Sequence, residues 1–224
     1  MNITILTGAG ISAESGLGTF RDSGGLWNKF KIEDVATPEA WVKNPELVLE
    51  FYNVRRKENN LAKPNKAHLA LVELAKHHTV SIITQNIDDL HERAGSKNVL
   101  HLHGEIIKAK TSELSTDYVD VKKKIKWGDL YNGKQLRPHV VWFGESVPKM
   151  EDAQKIAYNS DVFIVVGTSL KVYPAAGLID YVSEHCKLIV IDPKSININD
   201  ASVTIIKEKA TVGLPSLVNQ LIKE

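Results

Sequence analysis

The chain has 224 residues, of which 43% are hydrophobic and 25% charged, and its formal net charge is +1. This composition is typical of a soluble globular protein and excludes a basic nucleic-acid-binding tail. One cysteine excludes an internal disulfide and a zinc site made of four cysteines. Because the sequence shows neither a signal peptide nor a membrane-length apolar run, we expect a cytoplasmic protein without nucleic-acid or membrane partners.

Short runs of β-branched residues predict buried strands. They lie at 3–6, 80–86, 162–169 and 187–193, and helical patterns lie between them at 45–60, 67–77 and 175–185. Strands that alternate with helices favour an α/β fold with a Rossmann-like, doubly wound parallel sheet. Ligands of such sheets bind beyond the carboxyl ends of the strands, so we expect the polar residues that end these strands to line one crevice.

The loop after the first strand reads TGAGISAESGLGTFRDSGGLW, from Thr7 to Trp27. Its start fits the G-x-G-x-x-G/A turn that places backbone N–H groups on a pyrophosphate. A dehydrogenase would continue into a long helix and a second strand that ends in an acid. Here four further glycines interrupt the helix, which predicts a mobile flap that closes over a ligand. The flap carries Phe20, Arg21 and Trp27.

Further motifs follow in a fixed order along the chain. They are TQNID at 84–88, LHG at 102–104, WFGE at 142–145 and GTSL at 167–170. Together with GAGIS, these segments resemble the sirtuin family of NAD-dependent protein deacylases over nearly the whole chain. The resemblance implies a single catalytic domain at 1–224 that consumes NAD as a co-substrate. It also implies that nicotinamide and O-acyl-ADP-ribose are released.

The polar segment 108–136 is predicted to be a small insertion. We expect a large NAD-binding part at 1–30, 61–107 and 137–224, and a small part from insertions at about 31–60 and 108–136. Members of the family commonly carry two cysteine pairs in the second insertion, which bind a structural zinc. This chain has no cysteine there, so we expect no zinc. Packing is expected to hold the segment instead, around Leu114, Tyr118, Ile125, Trp127 and Leu130.

The resemblance implies that His103 is the general base on the ribose hydroxyls and that Asn86 is a second catalytic residue. An imidazole suits proton transfer near neutral pH. Asn86 and Asp88 follow a strand and could also cap a helix, so that interpretation stays open beside the functional one. His68 and His101 are interpreted as structural. The implied cofactor contacts are Gly8, Ala9, Gly10, Ser12, Phe20, Arg21, Trp27, Gln85, Asn86, Ile87, Asp88, Gly167, Thr168, Ser169, Asp192 (where the family more often has Asn) and Ala210.

The choice of acyl group is predicted from Tyr52 and Arg55, which share a face of the helix at 45–60. This Y-x-x-R pattern resembles the sirtuin subgroup that removes succinyl, malonyl and glutaryl groups. A guanidinium fork suits a carboxylate, although Arg55 could also be a solvated helix residue. The resemblance further implies an acyl-lysine protein or peptide bound in extended form. Its other contacts would be Ala36, Phe143, Gly144, Glu145 and Val172.

Alternative functions remain open at this point. The chain could act mainly on acetyl groups, transfer ADP-ribose, or bind NAD without catalysis. The combination of His103 with Asn86 and Asp88 argues against a binding module, because such a module needs no general base.

Overall fold

A computed structural model of the protein describes residues 1–19, 30–194 and 202–223. In these ranges the chain forms eleven strands. They are β1 (Asn2–Thr7), β2 (Thr79–Thr84), β3 (Val99–His101), β4 (Gly104–Lys110), β5 (Val119–Asp120), β6 (Leu130–Tyr131), β7 (Lys134–Gln135), β8 (Arg137–Val140), β9 (Val162–Val166), β10 (Lys187–Ile191) and β11 (Thr204–Ile206). No helix in the same ranges has the length and hydrophobicity needed to cross a membrane.

Seven α-helices connect and cover the strands in the described part of the chain. They are α1 (Ile32–Val35), α2 (Pro38–Lys43), α3 (Pro45–Leu61), α4 (Lys66–Leu74), α5 (Leu90–Ala94), α6 (Met150–Tyr158) and α7 (Ala210–Leu221). In the same ranges, 3₁₀-helices lie at Ala9–Ile11, Ala13–Ser15 and Ala175–Tyr181. The predicted helix at 175–185 is therefore a shorter 3₁₀-helix, and the one predicted at 67–77 ends at Leu74.

The main sheet has six parallel strands in the order β11-β10-β9-β1-β2-β3. The chain moves outward from β1 to β3 and then returns to β9 on the other side of β1 before it continues to β11. This reversal is the topological switch point of a doubly wound sheet, where ligands bind. The α/β fold with a Rossmann-like parallel sheet is confirmed.

Both faces of the main sheet are buried, which explains why its strands read as continuous apolar runs. One face packs Ile3, Ile5 and Ile164 against Leu71 of α4 and Leu214 of α7. The opposite face packs Leu6 and Phe163, among others, against α6 and the 3₁₀-helix that precedes β10. Successive residues of a strand point to opposite faces, so each central strand contributes to both clusters.

A second, smaller sheet stands beside the main one. It has the order β5-β4-β8 with antiparallel pairs, and β6 and β7 form a separate antiparallel hairpin. Helix α3 packs on it, because Phe51 and Tyr52 share a buried cluster with Ile106, Val140 and Trp142. The exact boundaries of the large and small parts remain a prediction.

The expected packing of the segment 108–136 is wrong for Leu114 and Leu130, whereas Tyr118 stacks on His139 with ring centroids 4.0 Å apart and Trp127 meets Trp41 edge to face at 6.1 Å. Ile125 is buried, but the other four side chains are exposed by 47% to 86%. They are Leu114, Tyr118, Trp127 and Leu130. Ile125 itself packs against Leu49 of α3 and Ala109 of β4.

Hydrogen bonds from Asn53 on α3 anchor this segment. The Asn53 Nδ2 donates to the carbonyl oxygen of Ile125 at 2.8 Å, and the Ile125 backbone N–H donates to Asn53 Oδ1 at 2.9 Å. The same Oδ1 accepts from Nη1 of Arg56 at 2.8 Å, and the Arg56 Nε donates to the carbonyl of Ile106 at 2.8 Å. A few directed bonds to α3 and β4 therefore supplement the apolar packing around Ile125.

Two histidines are enclosed between α4 and α5. His68 and His91 are both fully buried, and their rings meet edge to face with centroids 5.0 Å apart. His68 Nδ1 accepts the backbone N–H of Asn65, the residue that caps α4. Burial lowers the pKa of His68 to about 4. Burial, together with the unfavourable proximity of two further histidines, His68 and His101, also holds the pKa of His91 well below its ordinary value. Both rings are neutral in the folded protein at neutral pH.

This burial predicts a loss of stability in acid. An unfolded histidine has a pKa of about 6.5, so the unfolded state takes up the proton first as the pH falls. The contribution of His68 is intact above about pH 6.5 and is lost towards its folded pKa of about 4. His68→Gln does not titrate and can keep the capping bond to Asn65. Between neutral pH and about pH 5, we therefore expect the free energy of unfolding to fall by about 2 kcal/mol less in this variant than in wild type.

The measurement is urea unfolding of wild type and variant at about pH 7.5 and about pH 5. His185→Gln is the matched control, because it removes an exposed histidine and should leave the pH dependence unchanged. An identical loss of stability in wild type and His68→Gln would contradict the assignment.

Candidate active site

The strands of the main sheet end at one level, which creates a cleft. In the register, Thr7 lies opposite Thr84 and Val166, and Val166 lies opposite Ile191. The residues that follow these strands therefore meet at one edge, as predicted. They line a cleft of about 1310 Å³.

One wall of the cleft is a direct contact between two backbone turns. The Gly8 N–H donates to the carbonyl of Val166 at 3.0 Å, and the Gly10 N–H donates to that of Gly167 at 2.8 Å. A Cβ on Gly10 would lie 2.6 Å from the Gly167 Cα, and Gly167 itself has a φ of +62°. Only glycine permits this approach. The contact leaves a cradle in the cleft that is built from main chain.

A buried polar network forms the floor beside this turn. Asn86 Nδ2 donates to the carbonyl of Gly8 and to Ser12 Oγ, each at 3.2 Å. Ser12 Oγ donates to Asp88 Oδ2 at 3.0 Å, and the Leu90 N–H donates to Oδ1 at 3.2 Å. Burial raises the pKa of Asp88, although the bonds from Leu90 and Ser12 oppose this shift. The N-cap of α5 is Asp89, without a side-chain capping bond, so the alternative prediction that Asn86 or Asp88 is the N-cap is wrong, although Asp88 accepts the N–H of Leu90, the first residue of the helix.

His103 has a defined tautomer. Its Nδ1 lies 2.9 Å from the carbonyl oxygen of Gln85, and because a carbonyl only accepts, Nδ1 carries the proton. Nε2 is then the basic nitrogen. Burial lowers the pKa of His103, while the bond to Gln85 partly offsets this effect. Gly104 follows with a φ of +83°, and a Cβ there would lie 2.2 Å from the His139 carbonyl. The glycine of the LHG motif is therefore required sterically.

The opposite end of the nucleotide region is polar as well. Gln85 Nε2 donates to Thr168 Oγ1 at 3.2 Å, and this oxygen also accepts the Leu170 N–H at 3.3 Å. Asp192 Oδ1 accepts the Lys194 N–H at 2.8 Å. The predicted residues that line the cleft are Gly8, Ala9, Gly10, Ser12, Gln85, Asn86, Ile87, Asp88, His103, Gly167, Thr168, Ser169, Asp192 and Ala210. Phe20, Arg21 and Trp27 lie outside the described residues.

Tyr52 and Arg55 line the same cleft, together with Ala36. Tyr52 is 2% exposed, and its ring centroid lies 5.0 Å from that of Phe51 and 6.5 Å from that of Trp142. Burial raises the pKa of Tyr52 to about 12, against the opposing charge of Arg55. Burial also lowers the pKa of Arg55, while Tyr52, Asp88 and Glu58 oppose that shift. Arg55 therefore does not sit on a fully solvated helix face.

The WFGE segment closes this end through its backbone. The Phe143 N–H donates to the carbonyl of Ala36 at 3.0 Å. Glu145 is engaged elsewhere, because its carboxylate accepts from both Nη atoms of Arg137 at 2.6 and 3.2 Å and from the Trp142 N–H at 2.8 Å. Phe143, Gly144, Glu145 and Val172 all line the cleft. A contact from Glu145 to a peptide would have to use its main chain.

Sequence reasoning missed the pair formed by Arg137 and Glu145 and the wall formed by Trp142. The Arg137 guanidinium carbon lies 3.3 Å from the Trp142 ring centroid, and Trp142 lines the cleft. The sequence did contain an indication of this arrangement, because Trp142 stands in an apolar run with Arg137 before it and Glu145 after it. Among the described residues there is no group of three or more His, Cys, Asp or Glu that could hold a metal ion.

The fold and the cleft define an α/β nucleotide-binding protein, and comparison with known proteins gives its family. The model of the Sir2 family matches residues 8–174. A Bacteroides thetaiotaomicron protein named NAD-dependent protein deacylase is 47% identical over 232 residues, which cover 99% of this chain and 98% of that protein. The chain belongs to the Sir2 family.

Solved structures agree with this assignment. A crystal structure of a Sir2 homologue in complex with NAD has a TM-score of 0.88 and 40% identity, and the match covers 99% of this chain and 89% of that one. A Sir2 variant with a deacetylated p53 peptide and 3'-O-acetyl ADP ribose has a TM-score of 0.81 and 28% identity, over 99% of this chain and 92% of that one.

Proposed function

We propose that this member of the Sir2 family, an NAD-dependent protein deacylase, removes succinyl and malonyl groups from protein lysines as well as acetyl groups. The products would be the free lysine, nicotinamide and O-acyl-ADP-ribose. The observation that carries the proposal is that Tyr52 and Arg55 line the same cleft as His103 and Asn86. A cation and a phenol would then meet the distal carboxylate of an acyl chain whose reacting end lies near the base.

The cleft suits NAD for two reasons. The turn at Gly8 and Gly10 meets Gly167 so closely that no side chain can occupy the cradle, which favours a ligand held by main chain. Beside it, Ser12, Asn86 and Asp88 form a buried polar network whose remaining acceptor oxygens would face the nicotinamide and ribose groups. When bound, NAD supplies a ribose carbon that becomes electrophilic as nicotinamide leaves.

His103 is proposed to act as the general base through Nε2. The Gln85 carbonyl fixes the proton on Nδ1, so the lone pair of the neutral ring is on Nε2. Because burial lowers the pKa of His103, the ring is neutral and ready to accept a proton at neutral pH. Asn86 is held by its bonds to Gly8 and Ser12, so its amide is oriented before any ligand arrives.

The acyl carboxylate is proposed to bind Arg55 rather than Arg137. Arg137 is already neutralised by its bidentate pair with Glu145, whose side chain is only 1% exposed. Arg55 and Tyr52 lie on α3, and both residues line the cleft, as does Ala36, which supports this choice. The small side chain of Ala36 leaves room there for a longer acyl group.

The first test of the mechanism is His103→Ala. Loss of the base should lower deacylation by at least about 10²-fold, the lower scale for general acid–base catalysis. NAD binding should survive, because the nucleotide cradle is made of other residues. Turnover of an acyl-lysine peptide and calorimetric titration with NAD measure the two effects. His185→Ala, at an exposed position, is the control, and near-normal turnover in His103→Ala would refute the assignment.

The second test concerns the acyl group. A hydrogen bond to a charged group contributes about 1.5–3 kcal/mol, or about ten- to a hundred-fold in catalytic efficiency. Arg55→Met should lower kcat/KM for a succinyl-lysine peptide by that factor and spare the matched acetyl-lysine peptide. Tyr52→Phe should act in the same direction, but more mildly.

Lys57→Met is the matched control, since it removes a positive charge from an exposed position of the same helix. It should leave both activities unchanged. Equal losses on succinyl and acetyl peptides in Arg55→Met would mean that Arg55 supports the fold or the NAD site, and the acyl proposal would fail.

We also propose that the small part needs no zinc. The chain's one cysteine is Cys186, far along the sequence from the segment 108–136, which is instead tied to α3 through Asn53 and Ile125. Elemental analysis of protein purified without added metal should find no stoichiometric zinc. A strong chelator should leave the melting temperature and the activity unchanged. One tightly bound zinc per chain would be the opposite result.

A further inference from the structure

A second histidine, His101, lies two residues before His103 in the segment HLHG (101–104) and is buried behind the cleft. His101 ends β3, two residues before His103, and its side chain is 4% exposed. Nδ1 lies 3.1 Å from the backbone carbonyl oxygen of Asn86. Nε2 lies 2.8 Å from Oε1 of Glu92 on α5. Both ring nitrogens of His101 therefore meet an oxygen at hydrogen-bond distance.

The nature of these oxygens fixes the ionisation of the ring. A backbone carbonyl can only accept, so Nδ1 of His101 must carry a hydrogen. The Glu92 side chain is 42% exposed, and the oxygens of a carboxylate also accept. Nε2 must then carry a hydrogen too. An imidazole with hydrogens on both nitrogens is the imidazolium cation.

The groups around His101 agree with a cation at this position. Carboxylates approach from three elements: Glu92 on α5, Glu105 on β4, and Asp88 in the loop after β2. Burial opposes the charge, but the hydrogen bond and charge of Glu92, followed by Glu105 and the Asn86 carbonyl, raise the pKa of His101. His91 also faces it and stays neutral, because burial and the neighbouring histidines lower the pKa of His91.

We propose that His101 is a positioning residue that acts as an imidazolium, holds the Asn86 carbonyl in place, and must keep both of its protons for the enzyme to work. The inference rests on the proposed roles of Asn86 and His103. It gives the two histidines of the stretch opposite tasks. His103 works as a neutral base, whereas His101 works as a fixed cation that orients its neighbour.

Deprotonation of His101 would break its hydrogen bond to the Asn86 carbonyl rather than its bond to Glu92. The remaining hydrogen stays on Nε2, where the bond to the Glu92 carboxylate is charge-assisted and stronger. Nδ1 then turns a lone pair toward the Asn86 carbonyl oxygen, and the two repel each other. Activity should therefore rise with pH as His103 becomes neutral and fall again as His101 loses its proton, so the alkaline limb of the profile belongs to His101.

The first experiment reads the ring directly and needs no activity. Ring ¹⁵N chemical shifts of the full chain without ligand are measured against pH, and His101→Gln assigns the signals. We expect both nitrogens of His101 to be protonated at neutral pH. A neutral tautomer, with one nitrogen bare at that pH, would overturn the proposal whatever the enzyme does.

The second experiment removes the negative charge beside His101 and leaves the imidazole ring itself unchanged. Glu92→Gln keeps an acceptor opposite Nε2 but removes the carboxylate. It should lower the pKa of His101, and with it the alkaline limb of kcat/KM, by about one pH unit or more, while the acid limb stays in place. Glu73→Gln is the matched control, a carboxylate of similar 49% exposure on α4 that pairs with Lys76 instead.

The outcomes separate this inference from the proposed function. An alkaline limb that stays fixed while the His101 ring titrates at a lower pH would remove the positioning role. A wild-type protein without turnover on any acyl-lysine peptide would overturn the proposed function, whereas the ring-nitrogen measurement would still decide the ionisation of His101.

Discussion

The contact between two backbone turns, at Gly8–Gly10 and Gly167, is the constraint on which the site depends. β1 pairs with both β2 and β9, so the turn after β1 lies at the switch point of the sheet. The hydrogen bond from Gly10 to Gly167 closes that point without a side chain. The side chain of Asn86 donates to the Gly8 carbonyl and to Ser12, and Ser12 in turn donates to Asp88. A displacement of the two turns by a single methyl group would therefore be transmitted to every polar group on the floor of the cleft.

Burial shifts the pKa values of the ionisable groups in and near the site in different directions. It raises the pKa of Asp88 and lowers that of His103, because in each case it disfavours the charged form. His101 escapes this rule, since Glu92 and Glu105 outweigh the cost of burying its charge and its pKa is raised. On the proposed assignment, a neutral imidazole that lines the cleft and a charged one buried behind it lie two residues apart. Local partners, more than the residue type, decide which task each ring can perform.

The sequence predicted the central strands well, because β-branched runs at β1, β2, β9 and β10 are a local signal. It predicted the cleft residues for a different reason: parallel strands in register bring the residues that follow them to one edge, so short motifs far apart in sequence meet. β3 and β11 were missed, since three residues are too few to show a period. The packing predicted for Leu114 and Leu130 is wrong, since an apolar residue type alone does not decide whether a loop side chain has a neighbour to pack on. The pair of Arg137 and Glu145 was missed for a similar reason, as a turn through Trp142 brings them together.

Main-chain atoms shape one end of the cleft, and side chains shape the other. The nucleotide end is shaped by main chain around Gly10 and Gly167, whereas the far end is shaped by side chains, with Tyr52, Arg55 and Trp142 among its walls. A small molecule that copies only the nucleotide would meet surfaces that any protein with the same turns presents. If Tyr52 and Arg55 bind the acyl carboxylate as proposed, an inhibitor would obtain its selectivity at the far end, from an acidic group placed for the guanidinium and phenol. The same division makes α3 the natural place to redesign which acyl group is accepted, because exchanging its side chains leaves the glycine turns untouched.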